Sequence, residues 1–179
     1  MKEIISLAAG VFLLYWPYFW CWYRKENPAD YGLSWSTKKK DILQTLFVSA
    51  AVLLLLTPVA LMWPWDSLPH RRTLYEALNM AAAGLAAAVI EETFFRGWLQ
   101  TIIKKYLPVS AAVLLTNMIF APIHLIAAPN IISLTTFFPG VIMSILRERY
   151  GNILPSVIFH FVGNIWAIWF FPIGINLKL

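Results

Sequence analysis

An all-helical, polytopic membrane bundle with about six transmembrane helices is the fold class this chain predicts, and three observations predict it. Of its 179 residues, 60% are hydrophobic and only 13% charged, and the mean hydropathy of +0.67 exceeds what a single soluble core needs. The apolar residues gather into runs, most of them near the ~20 residues that a helical span requires. The basic residues fall in the short connections between those runs, where they set topology.

The first run, Ile4 to Tyr23, is long and aromatic, has no small-x-small cleavage site and is followed by Arg24 and Lys25. It is expected to be a retained anchor, not a signal peptide. Ile42 to Trp63, Leu74 to Ile103 and Pro108 to Ala127 form the next three runs. The fifth, Ile131 to Leu146, is short and carries Thr135, Thr136 and a Pro139-Gly140 break, a pattern suited to a tilted or re-entrant segment. Ile153 to Phe171 is the last. Trp16, Trp20, Trp22, Tyr23, Trp63 and Trp65 stand near run ends and suit an interfacial aromatic belt.

Arg24, Lys25, Lys38, Lys39, Lys40, Lys104, Lys105, Arg147 and Arg149 fall on one side of such a bundle; Lys2, Arg71, Arg72 and Lys178 fall on the other. The positive-inside rule then puts the first set in the cytoplasm and both termini outside. The net charge of +5 is thereby used by topology, and no nucleic-acid partner is expected. A lone cysteine, Cys21, excludes an intrachain disulfide and a Cys-based zinc knuckle. Residues 1–179 read as one membrane domain without internal repeats.

Against this background one cluster of charge stands out. Glu91, Glu92 and Arg96 lie well inside the third run, in EETFFRG, whereas Glu76 lies nearer an interface. Residues four apart share a helix face, so Glu92 can pair with Arg96, and the acid-before-base order favours that pair. Glu91 points ~100° away and is left unpaired. An unpaired carboxylate inside a span is costly and reads as functional, here as a candidate general base. The alternative is that the three are interhelical glue or part of an ion relay.

Two of the three histidines, His124 and His160, also lie within runs; His70 is in a loop. His160 and Asn164 are four apart and share a face, as do Phe120 and His124. Counting ~1.5 Å of rise per residue from the bordering basic loop puts Glu91 ~20 Å deep, His124 ~24 Å and His160 ~12 Å, depths that tilt and the Pro122 kink can bring to one cavity. The small residues from Ala81 to Ala88, Gly84 among them, permit close helix approach beside it.

The segments EETFFR, FAPIH and HFVGN, in that order on successive runs, resemble the CPBP family of intramembrane proteases, which includes prenyl-protein CAAX endopeptidases and bacteriocin-processing or self-immunity proteins. The resemblance covers residues 78–169, the expected catalytic core. It implies that Glu91, His124, His160 and Asn164 form the site, with Glu92 and Arg96 as part of the first motif. The implied chemistry is peptide-bond hydrolysis at membrane depth. Glu91 is the general base, His124 holds the water, and His160 and Asn164 donate hydrogen bonds to the oxyanion.

No covalent nucleophile is expected, because no G-x-S-x-G elbow is present and Cys21 has no motif partner. Asp30, Asp41 and Asp66 stand at loops or span edges, which argues against an aspartyl site. No cofactor is expected. Zinc held by Glu91, His124 and His160 is the alternative, disfavoured because no separate base beyond the adjacent Glu92 would then remain. The expected partners are the lipid bilayer and a peptide or lipidated protein substrate, and the expected location is a bacterial cytoplasmic membrane. The competing class is a non-enzymatic binding or immunity protein, or an ion-coupled transporter using the same carboxylates; a transporter would more often show internal repeats.

Overall fold

The computed structural model describes residues 2–63, 67–127 and 131–171. Trp65, Asp66 and Lys178 lie outside the described residues. In chain order the elements are α1 (Lys2–Arg24), a 3-10 turn (Pro28–Tyr31), α2 (Lys39–Leu61), α3 (Leu74–Glu92), a π-helical segment (Thr93–Leu99), α4 (Gln100–Lys104), α5 (Val109–Ala127), a second 3-10 turn (Ile131–Thr136), α6 (Phe137–Tyr150) and α7 (Leu154–Phe170). Among the described residues the protein is wholly helical.

Each of the six predicted runs is occupied by helix. Four stretches are long and apolar enough to cross a membrane: Lys39–Leu61, Leu74–Lys104, Val109–Ile126 and Ile131–Tyr150. The 23-residue α1 and the 17-residue α7 fill the first and last runs without being among those four. The chain is an integral membrane protein. In the fifth run a 3-10 turn leads into α6: the Thr135 and Thr136 hydroxyls donate to Ile132 O at 2.6 Å and Ser133 O at 2.7 Å, and Pro139 falls in the first turn of α6.

Local signals set the helix ends. A reciprocal capping box starts α3, with Glu76 N–H donating to Thr73 Oγ1 at 3.2 Å and Thr73 N–H to Glu76 Oε2 at 2.8 Å. Gly151 ends α6 at φ +71°, a left-handed conformation that favours glycine. Pro155 sits in the first turn of α7, where its fixed φ is already helical.

The three basic connections meet at one end of the bundle, as their charge pattern requires. Ile153 N–H donates to Gly32 O at 2.9 Å, Lys104 reaches Glu148 at 2.8 Å, and Lys105 reaches Glu26 at 3.0 Å and the Tyr31 hydroxyl at 2.8 Å. Tyr31 also donates to Glu26. Outside the spans, the Tyr31 hydroxyl and then the Lys105 ammonium hold the Glu26 carboxyl below its ordinary range, and the same cluster raises Lys105. At the opposite end the His70 N–H donates to Trp169 O at 2.9 Å and its ring lies 3.0 Å from Phe171 O, so His70 ties down the end of α7.

Helix α7 packs against α2, α3 and α6. Gly84 makes the α3 contact possible: a Cβ there would stand 3.0 Å from the Cβ of Asn164. Beside the charged cluster lies an apolar core of Phe95, Phe120, Met143, Leu146 and Phe159. Since lipid is as apolar as these side chains, close packing and interhelical hydrogen bonds carry the association.

Candidate active site

Glu91 and Glu92 end α3, and the chain passes directly into π-helix, marked by the Gln100 N–H bonding to Phe95 O, five residues back. Such wide turns recur at functional sites because they rotate the residues beyond them relative to a straight helix. Glu92 precedes the turn and Arg96 lies within it. Their pair forms as the spacing predicts: Arg96 Nη1 donates to Glu92 Oε1 at 3.1 Å, and both side chains are fully buried. The Phe120 ring lies 4.0 Å from the guanidinium carbon, adding a cation–π contact.

Glu92 also accepts from the His160 ring, whose Nδ1 lies 2.9 Å from Oε1. A carboxylate paired with arginine can only accept, so His160 carries a proton on Nδ1. His124 is held in the same tautomer, its Nδ1 being 3.0 Å from the carbonyl of Phe120, which also can only accept. Each ring therefore has Nε2 left for the site. Both Nε2 atoms face Glu91 Oε2, at 3.8 Å from His124 and 3.9 Å from His160. That oxygen is buried and makes no hydrogen bond within the protein.

The structure thus brings Glu91, His124 and His160 together from α3, α5 and α7, with Glu92 and Arg96 directly behind them. Asn164 stands one turn further along α7 than His160, and its Nδ2 donates to Gly84 O at 2.9 Å. One amide hydrogen is used there and one remains. The tautomer also narrows what His160 can do: with Nδ1 committed to Glu92, it donates from Nε2 only as the doubly protonated imidazolium.

Glu91 Oε2 stands 3.8 and 3.9 Å from the two Nε2 atoms, whereas ~2.0–2.1 Å bonds put ligand atoms of tetrahedral zinc roughly 3.3–3.4 Å apart. Among the described residues no group of three His, Cys, Asp or Glu has metal-holding geometry. What the converging Oε2 and Nε2 atoms suit is a donor of two hydrogens, which is what water is.

Sequence reasoning missed Asn117 and the part played by Gly140. Asn117 Oδ1 accepts from Arg96 Nη2 at 2.9 Å, and Gly140 O accepts from the same nitrogen at 3.1 Å. A signal was present, because Asn117, Phe120 and His124 fall at i, i+3 and i+7 on one face of α5.

A multi-span helical membrane protein with a half-buried, histidine-flanked carboxylate is the class that this fold and site define. Residues 73–166 match the family described as Type II CAAX prenyl endopeptidase Rce1-like, and the chain belongs to that family. Membership implies a peptidase acting at the membrane on a peptide substrate. Neither the curated proteins nor the solved structures give a match.

Proposed function

We infer that the protein is an intramembrane endopeptidase that hydrolyses a peptide bond of a membrane-tethered or lipidated substrate, at a C-terminal tail or a leader, with a water activated by Glu91. The observation that carries this reading is the convergence of both imidazole Nε2 atoms on the unpartnered Glu91 Oε2. A water there donates one hydrogen to Glu91 and the other to His124, which aims its lone pair at the scissile carbonyl carbon. Glu91 takes the proton as the C–O bond forms, then delivers it to the leaving amine as the C–N bond breaks. The remaining Asn164 N–H is the donor for the oxyanion, and His160 joins it only when its Nε2 takes up a further proton from solvent, in a setting where fixed dipoles count for more than in water.

The chemistry uses only these side chains and needs no metal, and the family suggests prenylated C-terminal peptides as the first substrates to try. The setting proposed for it is a bacterial cytoplasmic membrane, with the basic loops on the cytoplasmic face.

The test is cleavage by purified, reconstituted protein of farnesylated and transmembrane-tailed peptides, with and without a strong chelator. Glu91→Gln is expected to lower turnover by at least ~10²–10⁴-fold, the range for a lost general base, in a protein that still folds. Turnover retained by that variant would sink the site. Chelator sensitivity of the wild type would reassign Glu91, His124 and His160 as metal ligands. A folded protein that binds these peptides without cutting them would instead indicate a binding or immunity role.

A further inference from the structure

We propose that Asn117, oriented by Ser144, is a positioning residue of this centre: it holds Arg96 against Glu92 and so fixes the His160 ring that faces Glu91. The inference rests on the peptidase reading above.

Hydrogen-bond logic fixes the direction of the Asn117 amide. Its Nδ2 donates to Val113 O at 2.7 Å and to Ser144 Oγ at 2.9 Å. A carbonyl cannot donate, so the nitrogen must lie on that side and the oxygen must face Arg96. Oδ1 then accepts from Arg96 Nη2, while Nη1 is left for Glu92. A guanidinium is planar, so fixing Nη2 by Asn117 and Gly140 O also fixes where Nη1 points. Ser144, Asn117, Arg96, Glu92 and His160 thus form one connected line across α6, α5 and α3 to α7. Ser144, Asn117, Arg96 and Glu92 are all fully buried, so water cannot substitute for a missing partner.

The space for this line is made by a missing side chain. A Cβ on Gly140 would collide with Asn117 Oδ1 and stand 2.9 Å from Arg96 Nη2. The Phe120 ring closes the other side of the guanidinium, and the carbonyl of the same residue holds the His124 ring. One face of α5 therefore serves both histidines, His124 directly and His160 through Asn117 and Arg96.

A residue that only satisfied a buried arginine would change stability and leave the His160 ring as it is. A positioning residue must move the ring. The chain has three histidines, so 15N-histidine labelling of the full-length protein in nanodiscs gives three imidazoles, assignable by replacing each in turn. Wild-type His160 is expected to show its proton on Nδ1. In Asn117→Ala its ring signals should shift toward a mixture of tautomers while those of His70 stay fixed, and on any peptide the wild type cleaves kcat should fall about tenfold with KM within twofold, the signature of lost transition-state alignment.

Should Asn117→Ala fail to fold, the isosteric Asn117→Asp replaces it. Its carboxylate draws Arg96 from Glu92, and the His160 signals should again move. Wild-type His160 signals in either folded variant would overturn the proposal. These signals report the line with or without turnover, whereas Glu91→Gln reports the peptidase reading, so the two can fail separately.

Discussion

Two charged clusters in this bundle are each built around glutamate and arginine and end up with different properties. At the basic end, Glu148 has both oxygens occupied: Oε1 accepts from Gln100 Nε2 at 2.9 Å and Arg147 Nη1 at 2.8 Å, and Oε2 from Lys104 at 2.8 Å. Arg147 in turn donates to Thr101 Oγ1 at 2.6 Å, tying α6 to α4. In the middle of the bundle, Glu92 takes both Arg96 and His160 on Oε1 and leaves Oε2 buried without a partner, while Glu91, one residue away, has a buried Oε2 with only two imidazole nitrogens in front of it. A saturated carboxylate holds helices together. An unsaturated one beside fixed histidines retains its capacity to bind and deprotonate something else.

The largest effect expected from breaking this contrast is on folding, through Arg96→Leu. Removing the cation strands Glu92 as a buried unpaired charge, a loss of about 3–5 kcal/mol in comparable pairs. Thermal unfolding in detergent should register it, and a variant as stable as wild type would show that Glu92 is not held ionised by Arg96. Glu148→Gln comes next. Its amide keeps an acceptor for Gln100 or Arg147 but loses the charge shared by Arg147 and Lys104, so we expect about 1–3 kcal/mol of destabilisation with turnover per folded molecule unchanged. A matching loss of turnover in fully folded protein would place the basic-end cluster in the chemistry.

The smallest effect concerns pH at the loop clamp of Glu26, Tyr31 and Lys105. The folded-state value of Glu26 is depressed, so its stabilisation is present above the unfolded value and is lost as pH falls through the folded one. Lys105 is raised, so its share is complete below its unfolded value and is lost as pH rises through the folded one. Protection factors of the amides in residues 25–34, taken relative to intrinsic exchange at each pH, should therefore be highest between the ordinary carboxylate and lysine ranges and fall in acid. Unchanged protection through the acid limb would mean that apolar packing of Tyr31 and Leu33, not the ion pair, holds the loop.

Much of this was legible in the chain because it is local. The six runs, the Glu92–Arg96 pair and the different direction of Glu91 follow from span length and a 3.6-residue period. The grouping of basic loops at one end followed from charge. The Asn117 stripe was legible too and went unread, since a lone asparagine in an apolar run carries no charge to flag it. Glu148 was not singled out, because it lies two residues beyond the end of the fifth run, outside any apolar stretch.

The sequence by itself determined which helices form and that Glu91, Glu92 and Arg96 sit together inside one of the apolar runs. Only the tertiary structure decided that Glu91 faces two Nε2 atoms while Glu92 faces their support. Periodicity assigns a side chain to a face, but the partner on that face belongs to another helix. Its approach here depends on the π turn after Glu92, the close contact at Gly84 and the opening at Gly140.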